Sequence, residues 1–517
     1  MRPTTIQLLW LAGMLAAAGW MVYEPSPEPF IALTAGIIGF LSFGREQSRP
    51  AAVLDEPPPT RRSVAVLPLE HLGTDESEGF LADGMSEDII ARLAKVDDLR
   101  VISSSSVMRF RHRHVDPAEI AHELSVRSIL DGTIRQEGER VRVVVKLTDC
   151  ATRQQLWAER YDREAVDRFA LQTEIAESVA AALDVELAHE TVRSVPDPEA
   201  YRLHLLARFH ANKWSQDGWR KAVEHLEEAI GIDPSYPGPR STLAYVYGIR
   251  AYMHTFAPTE AFQRAEQEAR LALAMDDRET EAHMALGLVH YWLHWDWQAA
   301  LSELTRAVEL SPGDATARSF LGMVLDTLRR HEDAMRHRRL AYELDPLNPL
   351  AALNVGYGYM IGRRFETAIG QFERALELDP ENAAATYGLG MVQADIGDVN
   401  AACRTFELGM EKVDSGSAMY GFLGWAYAVA GRTDEAHAVL DGLLREDRWE
   451  ARSSFHVAMV YLGLGDRDGF FSWLDRAMEE RSPWMVWFHV TPSLDAAAGD
   501  PRYGEVLRRL HLPTGPG

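Results

Sequence analysis

The residues of this sequence that are capable of chemistry do not assemble into a recognisable reaction centre. No HExxH, CxxC, nucleophile elbow or phosphate-binding GxxxxGK[ST] motif occurs, and Gly388 and Gly390 lack the third glycine of a dinucleotide-binding loop. Cys150 and Cys403 stand far apart, so they indicate neither a disulfide framework nor a metal cluster. We therefore predict no catalytic residue, no cofactor and no metal ligand, and we expect that the chain is not an enzyme.

The charged residues point away from nucleic acid as a partner. The chain carries a formal net charge of −24, and an acidic surface repels phosphate backbones. Its carboxylates indicate solvated helix faces, or alternatively a surface for a basic partner. One basic cluster, residues 111–114 (Arg-His-Arg-His), suits an anionic lipid headgroup and is also typical of a solvated loop.

A regular spacing of Asp-Pro or similar pairs marks the second half of the chain. These runs end at positions 234, 277, 312, 346 and 380, at intervals of 43, 35, 34 and 34 residues. Between them, small residues recur where two antiparallel helices would cross, and the proline follows the second helix and stops it. No single unit can bury its own apolar stripe, so such an array is stabilised by its neighbours.

This 34-residue pattern resembles the tetratricopeptide repeat. The resemblance predicts eight repeats over residues 203–484, one of them lengthened by nine residues, followed by a C-terminal cap at residues 485–517 that covers the apolar face of the final repeat. In that family the first helix of each repeat lines a concave groove. Trp292, Trp295 and Trp297 fall at the turn of one repeat, where they form an exposed recognition patch or pack against the lengthened loop.

The residues that family geometry directs into the groove are apolar, aromatic or methionine. Such a lining adapts to irregular ligands and anchors them, so we predict that it binds an apolar or amphipathic peptide or helix. The alternative is that several of these side chains belong to the core between repeats. The predicted groove residues are Tyr245, Leu288, Met323, Leu353, Tyr357, Tyr387, Met391, Trp425, Phe455 and Met459.

Residues 63–190 alternate strand-like and helix-like patterns, which predicts an α/β domain with a mixed sheet. We expect strands at 63–72 and 99–110, a helix at 79–96 that begins near Ser86 with an acidic first turn, and a hairpin turn at Glu137-Gly138. The stretches ADGMSEDI and LDGTIR, with the string around them, resemble the TolB-like (FlgO-like) amino-terminal domain. That domain accompanies tetratricopeptide repeats in bacterial membrane proteins, and the resemblance implies no catalytic residues in it.

Two apolar runs precede that domain, at Thr4–Tyr23 and Phe30–Gly44. The first is long enough to cross a bilayer as a helix, and the second is marginal. A two-helix hairpin is our main interpretation, because Arg2, Arg45 and Arg49 flank it on one side and its loop lacks basic residues. A single span with an interfacial second run, and a cleaved signal peptide, are the alternatives.

The predicted fold is thus a transmembrane helical hairpin, an α/β domain and an all-α tetratricopeptide superhelix. The predicted divisions are an anchor at 1–48, a Pro-rich tether at 49–62, the α/β domain at 63–190, a linker at 191–202, the repeats and the cap. We expect contact with the lipid bilayer through residues 4–44 and a location at the bacterial inner membrane, with the body more readily cytoplasmic than periplasmic.

The predicted function is a membrane-anchored scaffold or sensor that holds a protein or peptide in the repeat groove. Two alternatives stay open. One is a regulatory subunit of a signalling or transcription system whose effector is a separate chain, since the cyclase or winged-helix effector of many relatives is missing from this sequence. The other is an envelope assembly factor with a periplasmic body. The oligomeric state cannot be predicted from the sequence.

Overall fold

A computed structural model describes residues 62–72, 79–111, 116–137, 140–164, 168–187, 195–213, 215–252, 258–412, 416–445 and 453–512. None of the helices in these ranges combines the length and the apolar character needed to cross a bilayer. The predicted anchor at 1–48, the two apolar runs within it and nearly all of the predicted tether at 49–62 lie outside the described residues.

Six strands form one mixed sheet in the N-terminal part. β1 pairs in parallel with β3 and with β4, β2 pairs with β4, and β4, β5 and β6 follow as an antiparallel meander. The predicted hairpin is present, with Glu137 opposite Arg140. The strands are β1 (Ser63–Val66), β2 (Glu70–His71), β3 (Arg100–Val101), β4 (Ser128–Glu137), β5 (Arg140–Asp149) and β6 (Gln154–Glu164).

Four helices accompany the sheet: α1 (Gly79–Leu93), α2 (Ser104–Val107), α3 (Pro117–Glu123) and α4 (Arg168–Ala182). The predicted start of α1 near Ser86 is wrong, because the helix begins seven residues earlier and Ser86 lies fully buried inside it. The Ser86 hydroxyl donates to the Ala82 carbonyl at 2.8 Å and accepts the Leu69 amide at 3.0 Å. The first turns of α1 are instead held by apolar packing of Phe80 and Leu81.

The predicted strand at 99–110 is also wrong for most of its length. Only Arg100 and Val101 pair with β1, and the chain then enters α2 and a 3₁₀ turn at Met108–Phe110. The run of serines explains the change, because hydroxyls serve local turns and caps better than a buried ladder. Here the Ser105 and Ser106 hydroxyls hydrogen-bond with a residue of the helical part, Asp345.

Sixteen further helices, within the described ranges, pair in sequence as eight helical hairpins. The first of them begins at Pro198, inside the predicted linker, because the Asp197 side chain caps it by accepting the amides of Glu199 and Ala200. The helices are α5 (Pro198–Ala211), α6 (Gln216–Ile232), α7 (Pro237–Tyr252), α8 (Pro258–Met275), α9 (Thr280–Val289), α10 (Trp297–Leu310), α11 (Ala315–Thr327), α12 (His331–Leu344), α13 (Pro349–Ile361), α14 (Phe365–Leu378), α15 (Ala383–Asp395), α16 (Val399–Lys412), α17 (Gly416–Val429), α18 (Thr433–Leu444), α19 (Ser454–Gly463) and α20 (Arg467–Glu479).

Glycine allows the two helices of a pair to approach closely. A Cβ at Gly356 would lie 2.8 Å from the ring of Phe372, and a Cβ at Gly390 would lie 2.4 Å from the ring of Phe406. Real Cβ atoms do not make contacts this short, so a larger residue would force the helices apart. The small residue that the sequence places at each crossing is therefore required by packing.

The chain ends with two 3₁₀ turns, at Pro483–Trp487 and Pro492–Ala497, and with helix α21 (Pro501–Arg509). We call residues 482–512 the C-terminal segment. It follows the eighth hairpin directly, and its backbone bonds at residues 485–500 are turns made within the segment. Because it has little regular structure, its position depends on what its side chains contact.

The sheet and helices α1 to α4, which we call the sheet domain, pack on the turns that join successive hairpins. The Gly313 amide donates to the Ala94 carbonyl at 2.7 Å, and the Ser103 amide donates to the Leu344 carbonyl at 2.8 Å. Leu347, which follows α12, is 5% exposed and belongs to the apolar core of the sheet domain. The two parts consequently share a core as well as a polar border.

Candidate functional site

The predicted groove residues all lie on the first helices of hairpins two to eight, and none is exposed. Tyr245, Met323 and Tyr357 are partly buried. The other seven are almost completely buried: Leu288, Leu353, Tyr387, Met391, Trp425, Phe455 and Met459. Peptide binding by this set stays a prediction, and the structure raises the question of what covers these side chains.

Two tryptophans of the C-terminal segment cover much of this lining. The Trp484 ring lies 6.2 Å from the ring of Tyr387 and is stacked 6.3 Å from the ring of Phe455. The Trp487 ring lies 5.0 Å from the ring of Tyr357. Three predicted groove residues on three different helices therefore contact one turn of the C-terminal segment.

Trp484 also reaches the residues between these positions. Its ring centroid is 4.5 Å from that of His456 and 5.9 Å from that of Phe422, both in edge-to-face geometry. Aromatic pairs in this arrangement stabilise a contact by about 0.5–1.5 kcal/mol beyond the area they bury. Trp484 is accordingly a central anchor of the segment against α15, α17 and α19.

Polar contacts continue the attachment along the array. The Ser493 hydroxyl donates to Asp395 Oδ1 at 2.8 Å, at the end of α15, and Asp495 forms an ion pair with Arg363, which follows α13. His489 Nε2 lies 2.8 Å from the Thr327 carbonyl at the end of α11. Burial lowers the pKa of His489 to about 4, so the ring is neutral at pH 7 and its Nε2–H donates to that carbonyl.

The far end of the segment reaches the third hairpin. Trp297 Nε1 donates to the Leu510 carbonyl at 2.8 Å. The guanidinium of Arg481, the residue just before the segment, lies 4.5 Å from the centre of the Trp295 ring. Because hairpin three thus meets the end of hairpin eight, the array closes around the segment. The tryptophans at 292, 295 and 297 are all buried and form no exposed patch, and the Trp292 ring packs near Phe262 and Phe320 of the neighbouring hairpins.

Apolar burial gives the closure most of its strength. Seven large side chains of the segment are 4% exposed or less: Met485, Val486, Phe488, Leu494, Val506, Leu507 and Leu510. At about 1.5–3 kcal/mol for each fully buried side chain, they contribute on the order of 10 kcal/mol. This gross figure is comparable with the net stability of a whole domain. Sequence reasoning placed this cap over the final repeat, whereas its contacts extend over hairpins three to eight.

A second contact region, which sequence reasoning missed, joins the sheet domain to the first hairpin. Arg208 on α5 pairs with Glu87 Oε2 at 3.0 Å and with Asp88 Oδ1 at 2.6 Å, both on α1. The Asn212 amide donates to Glu87 at 2.9 Å. Burial raises the pKa of Glu87, and Arg208 opposes that shift. The sequence predicts these carboxylates in the acidic first turn of a helix, whereas they lie in the interior of α1, which begins at Gly79.

The remaining chemical candidates are held in structural contacts. Arg111, the described member of the basic cluster, pairs with the buried Asp83, while residues 112–114 lie outside the described residues. Cys150 and Cys403 are free thiols, and burial raises the pKa of both. Among the described residues, no group of three or more His, Cys, Asp or Glu side chains has the arrangement to hold a metal ion.

Comparison with known proteins identifies the helical hairpins. The family model for the tetratricopeptide repeat matches residues 296–349 and 358–408. These stretches run from the second helix of hairpin three to hairpin six, where the 34-residue spacing is most regular, so the chain contains tetratricopeptide repeats. Its fold is a mostly helical repeat superhelix preceded by an α/β region with a six-stranded sheet.

Among curated proteins, the chain is similar to a putative adenylate cyclase 3 of Rhizobium meliloti. The two are 31% identical over 254 residues, which are 47% of this chain and 43% of the relative. The chain thus spans less than half of the length of that protein.

Among solved structures, one titled for the functional characterisation of Pseudomonas aeruginosa pilF is 18% identical, with a TM-score of 0.32, over 40% of this chain and 91% of the other. A tetratricopeptide repeat protein from Parabacteroides merdae is 14% identical, with a TM-score of 0.36, over 52% of this chain and 99% of the other.

Proposed function

From an array of tetratricopeptide repeats closed around an irregular segment, we propose that this chain is a protein-interaction scaffold. The observation that carries the proposal is the C-terminal segment itself. Its Trp484 and Trp487 rest on Tyr357, Tyr387 and Phe455, side chains of the kind that anchor partners at protein interfaces. The inner face of the repeats has the shape and chemistry to hold an apolar peptide, because it already holds the C-terminal segment of the same chain.

We place the scaffold at the bacterial inner membrane, with residues 4–44 in the bilayer and the body in the cytoplasm. The support is the apolar character of those residues and the arginines on one side of them. The likeness of residues 63–190 to the TolB-like domain adds to it. A fusion of alkaline phosphatase to the C-terminus should be inactive in intact cells, and an active fusion would support the periplasmic assembly factor instead.

A second candidate is a regulatory subunit of a signalling enzyme. The similarity of part of the chain to a protein named as a putative adenylate cyclase favours it. In this proposal the repeats bind an effector that is a separate chain. A single partner of cyclase, kinase or DNA-binding type, captured in stoichiometric amount, would distinguish this subunit from a general scaffold.

The test is affinity purification of the tagged full chain, followed by mass spectrometry and by rebinding of each captured protein to the purified chain. We expect at least one protein whose rebinding is weakened by Tyr357→Ala, which changes the partly buried lining. Leu156→Ala changes an exposed position of β6 and serves as the matched control. The proposal would be contradicted if both changes altered rebinding equally, or if no protein were captured above the untagged control.

A further inference from the structure

The first part of the C-terminal segment has the properties of a bound peptide. Residues 482–494 contain no Asp, Glu, Lys or Arg, and they contact the repeats through side chains. Within the described residues, the backbone–backbone hydrogen bonds of residues 485–494 are made inside the segment or to its own start. Residues 485–494 can therefore leave the inner face of the repeats without breaking a backbone hydrogen bond of the repeat helices.

The face beneath it is built for one particular chemistry. Trp484 and Trp487 are three positions apart on a single 3₁₀ turn. The Trp484 ring contacts aromatic rings of α15, α17 and α19, and the Trp487 ring contacts one of α13. Between them Met485 and Val486 are fully buried. The contact set therefore favours an uncharged segment that carries two aromatic residues three positions apart with aliphatic residues between them.

We infer that residues 482–497 occupy the docking site of a partner whose binding segment has this same chemistry, and that the partner binds by displacing them. This inference rests on the proposed scaffold function and names the class of ligand. The remainder of the segment, from α21 to the Leu510 contact with Trp297, stays in place and keeps the array closed.

Competition within the chain sets how the site behaves. A tethered segment competes at an effective concentration on the order of 1 mM. A free peptide of equal intrinsic affinity, supplied at about 10 µM, therefore fills only about one site in a hundred. Removal of a tryptophan anchor weakens such a contact about 30-fold. Loss of both tryptophans from the tethered segment therefore makes the free peptide the stronger competitor.

The experiment uses the full chain and a fluorescein-labelled peptide with the sequence of residues 482–497. Binding is measured by fluorescence anisotropy at about 10 µM peptide for the wild type and for Trp484→Ala/Trp487→Ala. We expect occupancy to rise from about one site in a hundred to more than half in the double variant. Trp157→Ala, a tryptophan change on β6 away from the site, should behave as the wild type does, and a peptide with both tryptophans replaced by alanine should not bind.

Two results would overturn the inference: a double variant that keeps its helical circular dichroism but binds no better than the wild type, or equal binding of the alanine peptide.

If the double variant loses helicity, hydrogen exchange of the wild type decides. Amides of residues 485–494 should then exchange at least about 100-fold faster than those of α15 and α17 beneath them, because local opening is easier than global unfolding. Equal protection would show that the segment is permanent core. Because the probe is a peptide of the chain's own sequence, a negative result would contradict displacement of residues 482–497 without contradicting the scaffold function. The affinity purification tests that function separately.

Discussion

At the scale of single residues, a buried ion pair fixes the middle of the array. Arg338 on α12 and Asp326 on α11 are 1% and 2% exposed. The guanidinium donates to Asp326 Oδ2 through Nε at 3.0 Å and Nη2 at 2.7 Å, and through Nη1 to the Asn354 carbonyl at 2.7 Å. His331 Nδ1 lies 3.0 Å from the other carboxylate oxygen. The 34-residue spacing places Arg338 where the next two repeats carry Phe372 and Phe406, but the spacing does not indicate which carboxylate faces it.

Arg338→Met tests this pair. We expect the free energy of unfolding to fall by about 3–5 kcal/mol, because Asp326 would remain buried without its cation. Urea denaturation followed by circular dichroism measures the change. The double variant Arg338→Met/Asp326→Leu should recover most of the loss, since an apolar pair of similar size needs no compensating charge. A single variant that loses less than about 1 kcal/mol would show that the pair is unimportant.

At the scale of elements, the sequence predicted the helices well where local signals are strong. Periodicity, caps and the 34-residue spacing placed α11 to α16 because these features act within one repeat. The same local rules failed at α1, where Ser86 offered a good capping signal that tertiary packing overrode. They also predict a cap on the last repeat, because no local pattern reports a contact as distant as that of Leu510 with Trp297, 213 residues away.

Asp395, at the end of α15, should make the attachment of the C-terminal segment depend on pH. Burial raises its pKa from 3.8 to about 6; Asp495 adds to that shift, while Ser493 and Arg363 oppose it. Because the folded pKa lies above the unfolded value, this group contributes stability that is complete below about pH 4 and is lost as pH rises through 6.

Asp395→Asn should therefore raise the urea midpoint at pH 7.5 and flatten its change between pH 4.5 and 7.5. Asp441→Asn, at an exposed position of α18, is the control and should follow the wild type. A midpoint for Asp395→Asn that keeps the pH dependence of the wild type would contradict the assignment.

At the scale of the whole molecule, contacts between the sheet domain and the repeats should make the two parts unfold together. Asp345, in the turn after α12, accepts hydrogen bonds from the hydroxyls of Ser105 and Ser106 at 2.5 Å. The side chain of the equivalent Asp379, in the next turn, accepts hydrogen bonds from the backbone amide of Glu381 and the side-chain amide of Asn382, both in its own turn. The sequence made these two aspartates look alike, and only the position of the sheet domain distinguishes them.

Asp345→Ala should weaken the joint between the two parts. We expect a single calorimetric unfolding transition in the wild type, and in the variant a broader transition or two transitions, because the buried hydroxyl of Ser106 loses its acceptor at a cost of about 1–3 kcal/mol. Asp379→Ala is the matched control and should keep one transition. Separate transitions already in the wild type, or identical effects of both variants, would show that the joint is not what couples the parts.

The closure of the array has a consequence during synthesis. The contact between Trp297 and the Leu510 carbonyl joins residues 213 positions apart. At about 5–20 residues per second, the ribosome needs on the order of 10–40 s to proceed from one to the other. Throughout that interval the aromatic inner face of each finished repeat lacks its cover, so the nascent chain is the form most open to chaperones and to partners that bind before the molecule closes.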